Sequence, residues 1–134
     1  MRLTSLFPLA ALVASAYAGC YAEKGVDAAW WDKADARGRA QDACRNEFKG
    51  TFGDKSSNRG HRKVCKAAKP PPANYGDRRQ HYVFEIWHTS SGDRAITEAE
   101  CLDGLGKEIH CDYGGESAYT NWRYKSDPNP GNCP

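Results

Sequence analysis

Two groups of residues in this chain have side chains and separations suited to catalysis or ligand binding, and the first is a histidine with a carboxylate. His81 and Glu85 lie four residues apart in an alternating apolar and polar segment, so a β-strand places both on one face with Val83 between them. Such a pair over a groove can act as general acid and base, and an added arginine, Arg62 or Arg123, suits cleavage of RNA phosphodiesters. Strand alternation produces such pairs by chance, so a salt bridge is the simpler interpretation.

The second group mixes aromatic and polar side chains near the C-terminus. Sugar rings stack their C–H patches on aromatic faces, and their hydroxyls bond to planar polar groups. The same pattern also fits a core, in which Trp122 and Tyr124 are buried and the polar residues are solvated. The candidate glycan-binding residues are Glu116, Tyr119, Asn121, Arg123 and Asp127.

The beginning of the chain has the features of a cleavable secretion signal. Arg2 precedes a short apolar run, and Ala16 and Ala18 provide a small-x-small cleavage site. The run is too short for a membrane span, which needs about 20 apolar residues. We therefore predict a signal peptide over residues 1–18 and one secreted, extracellular domain over residues 19–134, without a membrane partner.

All six cysteines follow the predicted cleavage site. An even number in a short exported chain predicts a disulfide framework, although the sequence leaves the pairing open. Two of them, Cys101 and Cys111, would lie about 15 Å apart on an unbroken helix, so we expect them to have different partners. The predicted disulfide cysteines are Cys20, Cys44, Cys65, Cys101, Cys111 and Cys133.

Charge and motifs narrow the functional classes. The 19 Lys and Arg against 17 Asp and Glu give a net charge of +2, which offers no reason to expect a nucleic-acid partner. The four histidines are scattered and lack the spacing of zinc ligands. Phosphate loops and nucleophile elbows are also missing from the sequence. We therefore expect no metal, no cofactor and a binding protein rather than an enzyme.

The predicted elements place these residues on a mixed domain. An alanine-rich apolar stripe predicts a helix over residues 27–46, and a capping box at Thr97 and Glu100 predicts the start of a second helix. Residues 127–131 contain two prolines and are predicted to be irregular. The order favours an α+β, disulfide-rich domain with an antiparallel sheet and helices on one side. The predicted strands cover residues 48–52, His61–Ala67, 80–89 and 118–125.

Cysteine, glycine and aromatic spacing carry a resemblance over most of the predicted mature chain. The matching segments are Cys20 soon after the predicted cleavage site, the alanine-rich helix through Ala40 to Cys44, 48–52 (FKGTF), 101–105 (CLDGL), 108–111 (EIHC), 114–117 (GGES), 122–129 (WRYKSDPN) and 131–133 (GNC). They resemble a family of small secreted fungal proteins typified by a mushroom glycan-binding protein. The resemblance implies a disulfide-bonded, lectin-like domain that binds glycans or glycoproteins without turnover.

Three functions therefore stay open. The leading hypothesis is a secreted, non-enzymatic glycan-binding protein of a fungus, with a further role as a host-interaction effector. The alternatives are a secreted guanyl-type ribonuclease-like protein that uses His81 and Glu85, and an effector or toxin that targets host proteins. The sequence gives neither the glycan nor the oligomeric state.

Overall fold

The computed structural model describes residues 19–71 and 73–134, so the predicted signal peptide lies outside the described residues. The two helices are α1 (Lys33–Arg45) and α2 (Glu98–Ile109). Short 3-10 turns occur at Val26–Ala28, Asn58–Gly60 and Ala73–Tyr75. The strands are β1 (Gly50–Phe52), β2 (His61–Ala67), β3 (Gln80–His88), β4 (Arg94–Ile96), β5 (Gly115–Ala118) and β6 (Trp122–Pro130).

Two antiparallel sheets organise the domain. The larger has the strand order β2-β3-β6-β5, and β1 pairs with β4 in a separate two-stranded sheet. One face of the larger sheet packs against both helices, which confirms the predicted α+β class. We call that face the inner face and the opposite one the outer face.

Alternation along β3 decides which side chains reach each face. Tyr82, Phe84 and Ile86 point inward and are at most 1% exposed. They share one core with the fully buried Ala36 and Ala40 of α1, whose small side chains let the helix approach the sheet closely. The intervening residues His81, Val83, Glu85 and Trp87 consequently line the outer face.

The first helix begins later than predicted. Asp32 caps α1 by accepting a hydrogen bond from the Asp35 backbone N–H, so the helix starts at Lys33. Upstream, the Trp30 backbone N–H donates to the Asp112 carbonyl, and its indole N–H donates to the Cys111 carbonyl at 2.7 Å. These long-range bonds hold residues 29–31 outside the helix, which the local apolar pattern could not reveal.

The final strand begins at Trp122, later than the predicted start at residue 118, and it continues through the segment expected to be irregular. β6 pairs with β3 from Trp122 to Pro130, whereas its pairing with β5 stops at Ser126. Pro128 and Pro130 are two residues apart, so their nitrogens face the same side. Because β5 has ended there, a missing N–H on that side costs no ladder hydrogen bond.

Three disulfides connect these elements, and they confirm the predicted disulfide framework. Cys44–Cys101 joins the two helices, Cys20–Cys111 ties the first described residues to the end of α2, and Cys65–Cys133 ties the C-terminus to β2. As expected, Cys101 and Cys111 have different partners. Within residues 19–71 and 73–134, neither helix has the length and apolarity that crossing a membrane requires.

Candidate functional site

The five predicted glycan-binding residues occupy two separate places. Tyr119 and Asn121 lie in the turn between β5 and β6, and both line one cavity beside α2. Glu116, Arg123 and Asp127 belong to the outer face, where each has a charged protein partner. The sequence pattern therefore combined two sites that the fold keeps apart.

The cavity beside α2, called here the turn pocket, has a volume of about 250 Å³. It forms because the β5–β6 turn lies across the exposed side of the helix. The capping box at Thr97 and Glu100, present as predicted, fixes the start of that helix. Its lining residues are Glu100, Asp103, Gly104, Lys107, Tyr119, Thr120, Asn121, Trp122 and Tyr124.

Tyr119 presents an accessible aromatic ring at this pocket. It is 46% exposed, whereas the neighbouring Tyr124 is 5% exposed, with 6.0 Å between the two ring centroids. The Lys107 ammonium lies 5.0 Å from the Tyr119 ring centroid and 3.1 Å from the Asp103 carboxylate. In the predicted strand over residues 118–125, alternation would place Tyr119 and Tyr124 on opposite faces. The turn between β5 and β6 instead brings the two rings together.

Two carboxylates and one ammonium make the turn pocket slightly acidic. Burial, followed by the nearby charges of Glu100 and Asp103, raises the pKa of the Tyr124 hydroxyl well above its usual range. Asp103 accepts a hydrogen bond from Lys107 and raises the pKa of that ammonium. Trp122, another lining residue, has a buried indole N–H that meets no hydrogen-bond acceptor within the described part of the chain. The pocket thus combines an aromatic face with hydrogen-bonding groups of both kinds.

On the outer face, the other three predicted ligands bond to the protein itself. Glu116 forms an ion pair with Arg123 and also accepts a hydrogen bond from the Tyr21 hydroxyl at 3.2 Å. Asp127 lies 3.5 Å from the Lys24 ammonium. Burial, then the charges of nearby carboxylates led by Asp127, raises the pKa of Tyr21 to about 12. These side chains hold the N-terminal segment on the sheet.

The predicted acid–base carboxylate, Glu85, lies at the centre of the outer face and is 7% exposed. Its Oε1 lies 2.9 Å from His61 Nε2, and its Oε2 lies 3.3 Å from Lys125 Nζ. His81 shares the face as predicted, but four strand residues separate it from Glu85 by about 13 Å. His81 Nδ1 instead lies 3.0 Å from the Gly131 carbonyl oxygen.

The Trp87 ring lies between the His61 imidazole and the Arg123 guanidinium. The His61 ring stacks on it with a centroid distance of 4.7 Å and an interplanar angle of 5°. The Arg123 guanidinium lies 4.6 Å from the Trp87 ring centroid. With these neighbours, Trp87 orients polar groups and is not a free stacking platform. We call His61, Lys63, Glu85, Arg123 and Lys125 together with Trp87 the outer-face cluster.

Sequence reasoning missed His61 as the partner of Glu85. The antiparallel register pairs His61 with Trp87 and Lys63 with Glu85, so His61 and Glu85 are diagonal neighbours. Both segments were predicted as strands, but their register depends on tertiary pairing. In the described part of the chain, no group of three or more His, Cys, Asp or Glu side chains is arranged to hold a metal ion.

Compared with protein-family models, curated proteins and solved structures, the chain matches none. Functional conclusions therefore depend on the chemistry of the turn pocket and the outer-face cluster.

Proposed function

We propose that this protein is a secreted glycan-binding protein that holds a sugar in the turn pocket and does not chemically change it there. The observation that carries the proposal is the exposed ring of Tyr119 beside hydrogen-bonding groups of Asn121 and Asp103. Sugar rings need this combination, because their C–H faces stack on aromatic rings while their hydroxyls take directional hydrogen bonds.

The volume of the turn pocket limits the length of glycan that it can hold. A volume of about 250 Å³ is below the roughly 300–1,000 Å³ typical of cavities that enclose a drug-sized ligand. The pocket therefore takes one or two sugar units at the end of a glycan. The Lys107 side chain is 54% exposed, and it must move aside for a sugar ring to stack on Tyr119. Binding by one such site is weak, and useful avidity needs several sites on one surface.

An extracellular location fits the same proposal. Residues 1–18 have the pattern of a secretion signal, and all six cysteines of the chain are disulfide-bonded. Disulfides persist in oxidising compartments, where glycans and glycoproteins are also displayed. The partners are accordingly glycans or glycoproteins on a cell surface, which includes a host surface.

A glycan array tests the proposal, using oxidised protein obtained by expressing the whole chain in a secreting eukaryotic host. A hit is then titrated by calorimetry with wild type, Tyr119→Ala and the aromatic control Tyr75→Ala, whose ring packs on Trp31 away from the pocket. An aromatic contact contributes about 0.5–1.5 kcal/mol, so Tyr119→Ala should weaken binding about 2- to 10-fold. The control should bind as wild type.

Two results contradict the proposal. One is an array without a reproducible signal for the oxidised protein. The other is a glycan that binds Tyr119→Ala as tightly as wild type, which removes the turn pocket from recognition. Circular dichroism of each variant checks that the fold is retained.

A further inference from the structure

We propose that the outer-face cluster is a second, independent site that cleaves single-stranded RNA, with His61 as general base and Glu85 as the residue that positions it. The proposal does not depend on glycan binding, because the cluster shares no residue with the turn pocket.

Strand register assembles the cluster in two adjacent rows. His61, Trp87 and Arg123 are directly paired across β2, β3 and β6 in the first row. Lys63, Glu85 and Lys125 form the second row. Neighbouring strands lie about 4.8 Å apart, so each row spans about 10 Å across the sheet, and the two rows lie about 6.6 Å apart along the strands.

The hydrogen bond to Glu85 sets the tautomer of His61 that can act as a base. The Glu85 carboxylate can only accept, so neutral His61 donates from Nε2 and keeps a lone pair on Nδ1. Lys125 holds the other carboxylate oxygen, and stacking on Trp87 holds the imidazole ring. The His61 side chain remains 40% exposed while that of Glu85 is 9% exposed. The base is therefore accessible and the residue that positions it is buried.

Cationic groups surround this pair where a phosphate would lie. Lys63 is exposed directly opposite Glu85 in the register, and Lys125 lies on its other side. Arg123 forms an ion pair with Glu116, and Lys125 lies 3.3 Å from Glu85 and 4.0 Å from Asp127. Lys63 has no ion pair among the residues that the structure describes, so it is the cation of the cluster best placed to meet a phosphate. Charges fixed beside a developing phosphoryl anion stabilise the transition state.

The reaction that fits these groups is transesterification within RNA. His61 Nδ1 takes the proton of a ribose 2′-hydroxyl, and the 2′-oxygen forms a bond to the adjacent phosphorus. The bond from phosphorus to the 5′-oxygen breaks, and that oxygen takes a proton from water. The products are a 2′,3′-cyclic phosphate and a 5′-hydroxyl, and His61 returns its proton to solvent. DNA lacks the 2′-hydroxyl and is not a substrate.

The experiment incubates the oxidised protein with end-labelled single-stranded RNA and with DNA of the same sequence. Mass spectrometry identifies the new ends. We expect RNA cleavage with 2′,3′-cyclic phosphate ends and intact DNA. His61→Ala and Glu85→Gln should each slow cleavage at least about 100-fold, the lower range for loss of general acid–base catalysis. His110→Ala, which changes an exposed histidine at the end of α2, is the matched control and should cleave as wild type.

Intact RNA after prolonged incubation with wild type overturns the proposal. So does cleavage that survives His61→Ala, including cleavage lost only in His81→Ala, the histidine that the sequence favoured. Far-UV circular dichroism and thermal unfolding of both cluster variants check folding. If Glu85→Gln unfolds, the decision rests on His61→Ala, whose exposed side chain is less involved in the core. None of these results bears on the glycan array.

Discussion

Two glycines of α2 lie two residues apart, and alanine substitutions at them should change stability in opposite directions. A Cβ at Gly104 would come closer than 3.0 Å to the Tyr124 ring, whereas a Cβ at Gly106 meets no heavy atom within 4 Å. The Tyr124 ring is 5% exposed, and its strand pairs with β3 and β5 on either side. It therefore has little freedom to move away.

The magnitudes follow from two opposing effects. Alanine is better than glycine inside a helix by about 1 kcal/mol. At Gly106 this effect acts alone, so Gly106→Ala should stabilise by about 0.5–1 kcal/mol. At Gly104 the added Cβ would overlap three atoms of the Tyr124 ring, so the upper part of the overpacking range applies, about 2–3 kcal/mol. Less the helix gain of about 1 kcal/mol, the net loss is about 1–2 kcal/mol.

Thermal unfolding of the oxidised protein measures both changes. For a domain of this size, Gly104→Ala should lower Tm by about 4–8 °C and Gly106→Ala should raise it by about 2–4 °C. The reasoning is refuted if Gly104→Ala is as stable as wild type, or if Gly106→Ala is the more damaging change. Since Gly104 and Tyr124 also line the turn pocket, the first result would require a different packing there.

Three further predictions concern one disulfide, the contacts of the Arg62 guanidinium and a buried carboxylate. Replacing both Cys44 and Cys101 by alanine removes a disulfide that closes a loop with a sequence separation of 57. The free energy of unfolding, measured by chemical denaturation, should fall by about 4 kcal/mol, and an unchanged denaturation midpoint would contradict this prediction. The Arg62 guanidinium donates hydrogen bonds to the Lys49 and Thr51 carbonyls and lies over the Phe52 ring. Lysine cannot make both bonds in this geometry, so Arg62→Lys should lower the free energy of unfolding in urea by about 1 kcal/mol. An unchanged free energy would show that the paired hydrogen bonds are unimportant for stability. Burial raises the pKa of Glu108, so the folded state binds its proton more tightly than the unfolded state does. The stabilisation from this bound proton is complete at pH values below the pKa of Glu108 in the unfolded chain, and it is lost as the pH rises through the pKa of Glu108 in the folded protein. Glu108→Gln should therefore gain stability relative to wild type between pH 4 and pH 7 in urea unfolding, and a pH-independent difference would disprove this.

Local signals in the sequence were sufficient for several elements. The capping box fixed the start of α2, because both of its hydrogen bonds form within four residues. The bounds of β2 matched the prediction, and those of β3 differed by one residue. Helix length alone showed that Cys101 and Cys111 need different partners, without indicating which ones.

Tertiary contacts decided what the sequence could not. The apolar helical pattern includes Trp30, but the long-range hydrogen bond from its backbone keeps this residue outside α1. Prolines are tolerated in β6 because β5 ends before it reaches them. The contacts within the candidate sites also depend on tertiary structure. Glu85 was found from alternation along one strand, whereas its contact with His61 depends on the register between two strands.

A titration monitored by NMR would locate the glycan-binding site that we propose in the turn pocket. Isotope-labelled oxidised protein is titrated with the best array ligand, and the amide chemical shifts are followed. We expect saturable shifts concentrated at Tyr119, Asn121 and the facing turns of α2 around Lys107. Shifts concentrated instead around Glu85 on the outer face, or no saturable shifts, would rule out the turn pocket as the binding site.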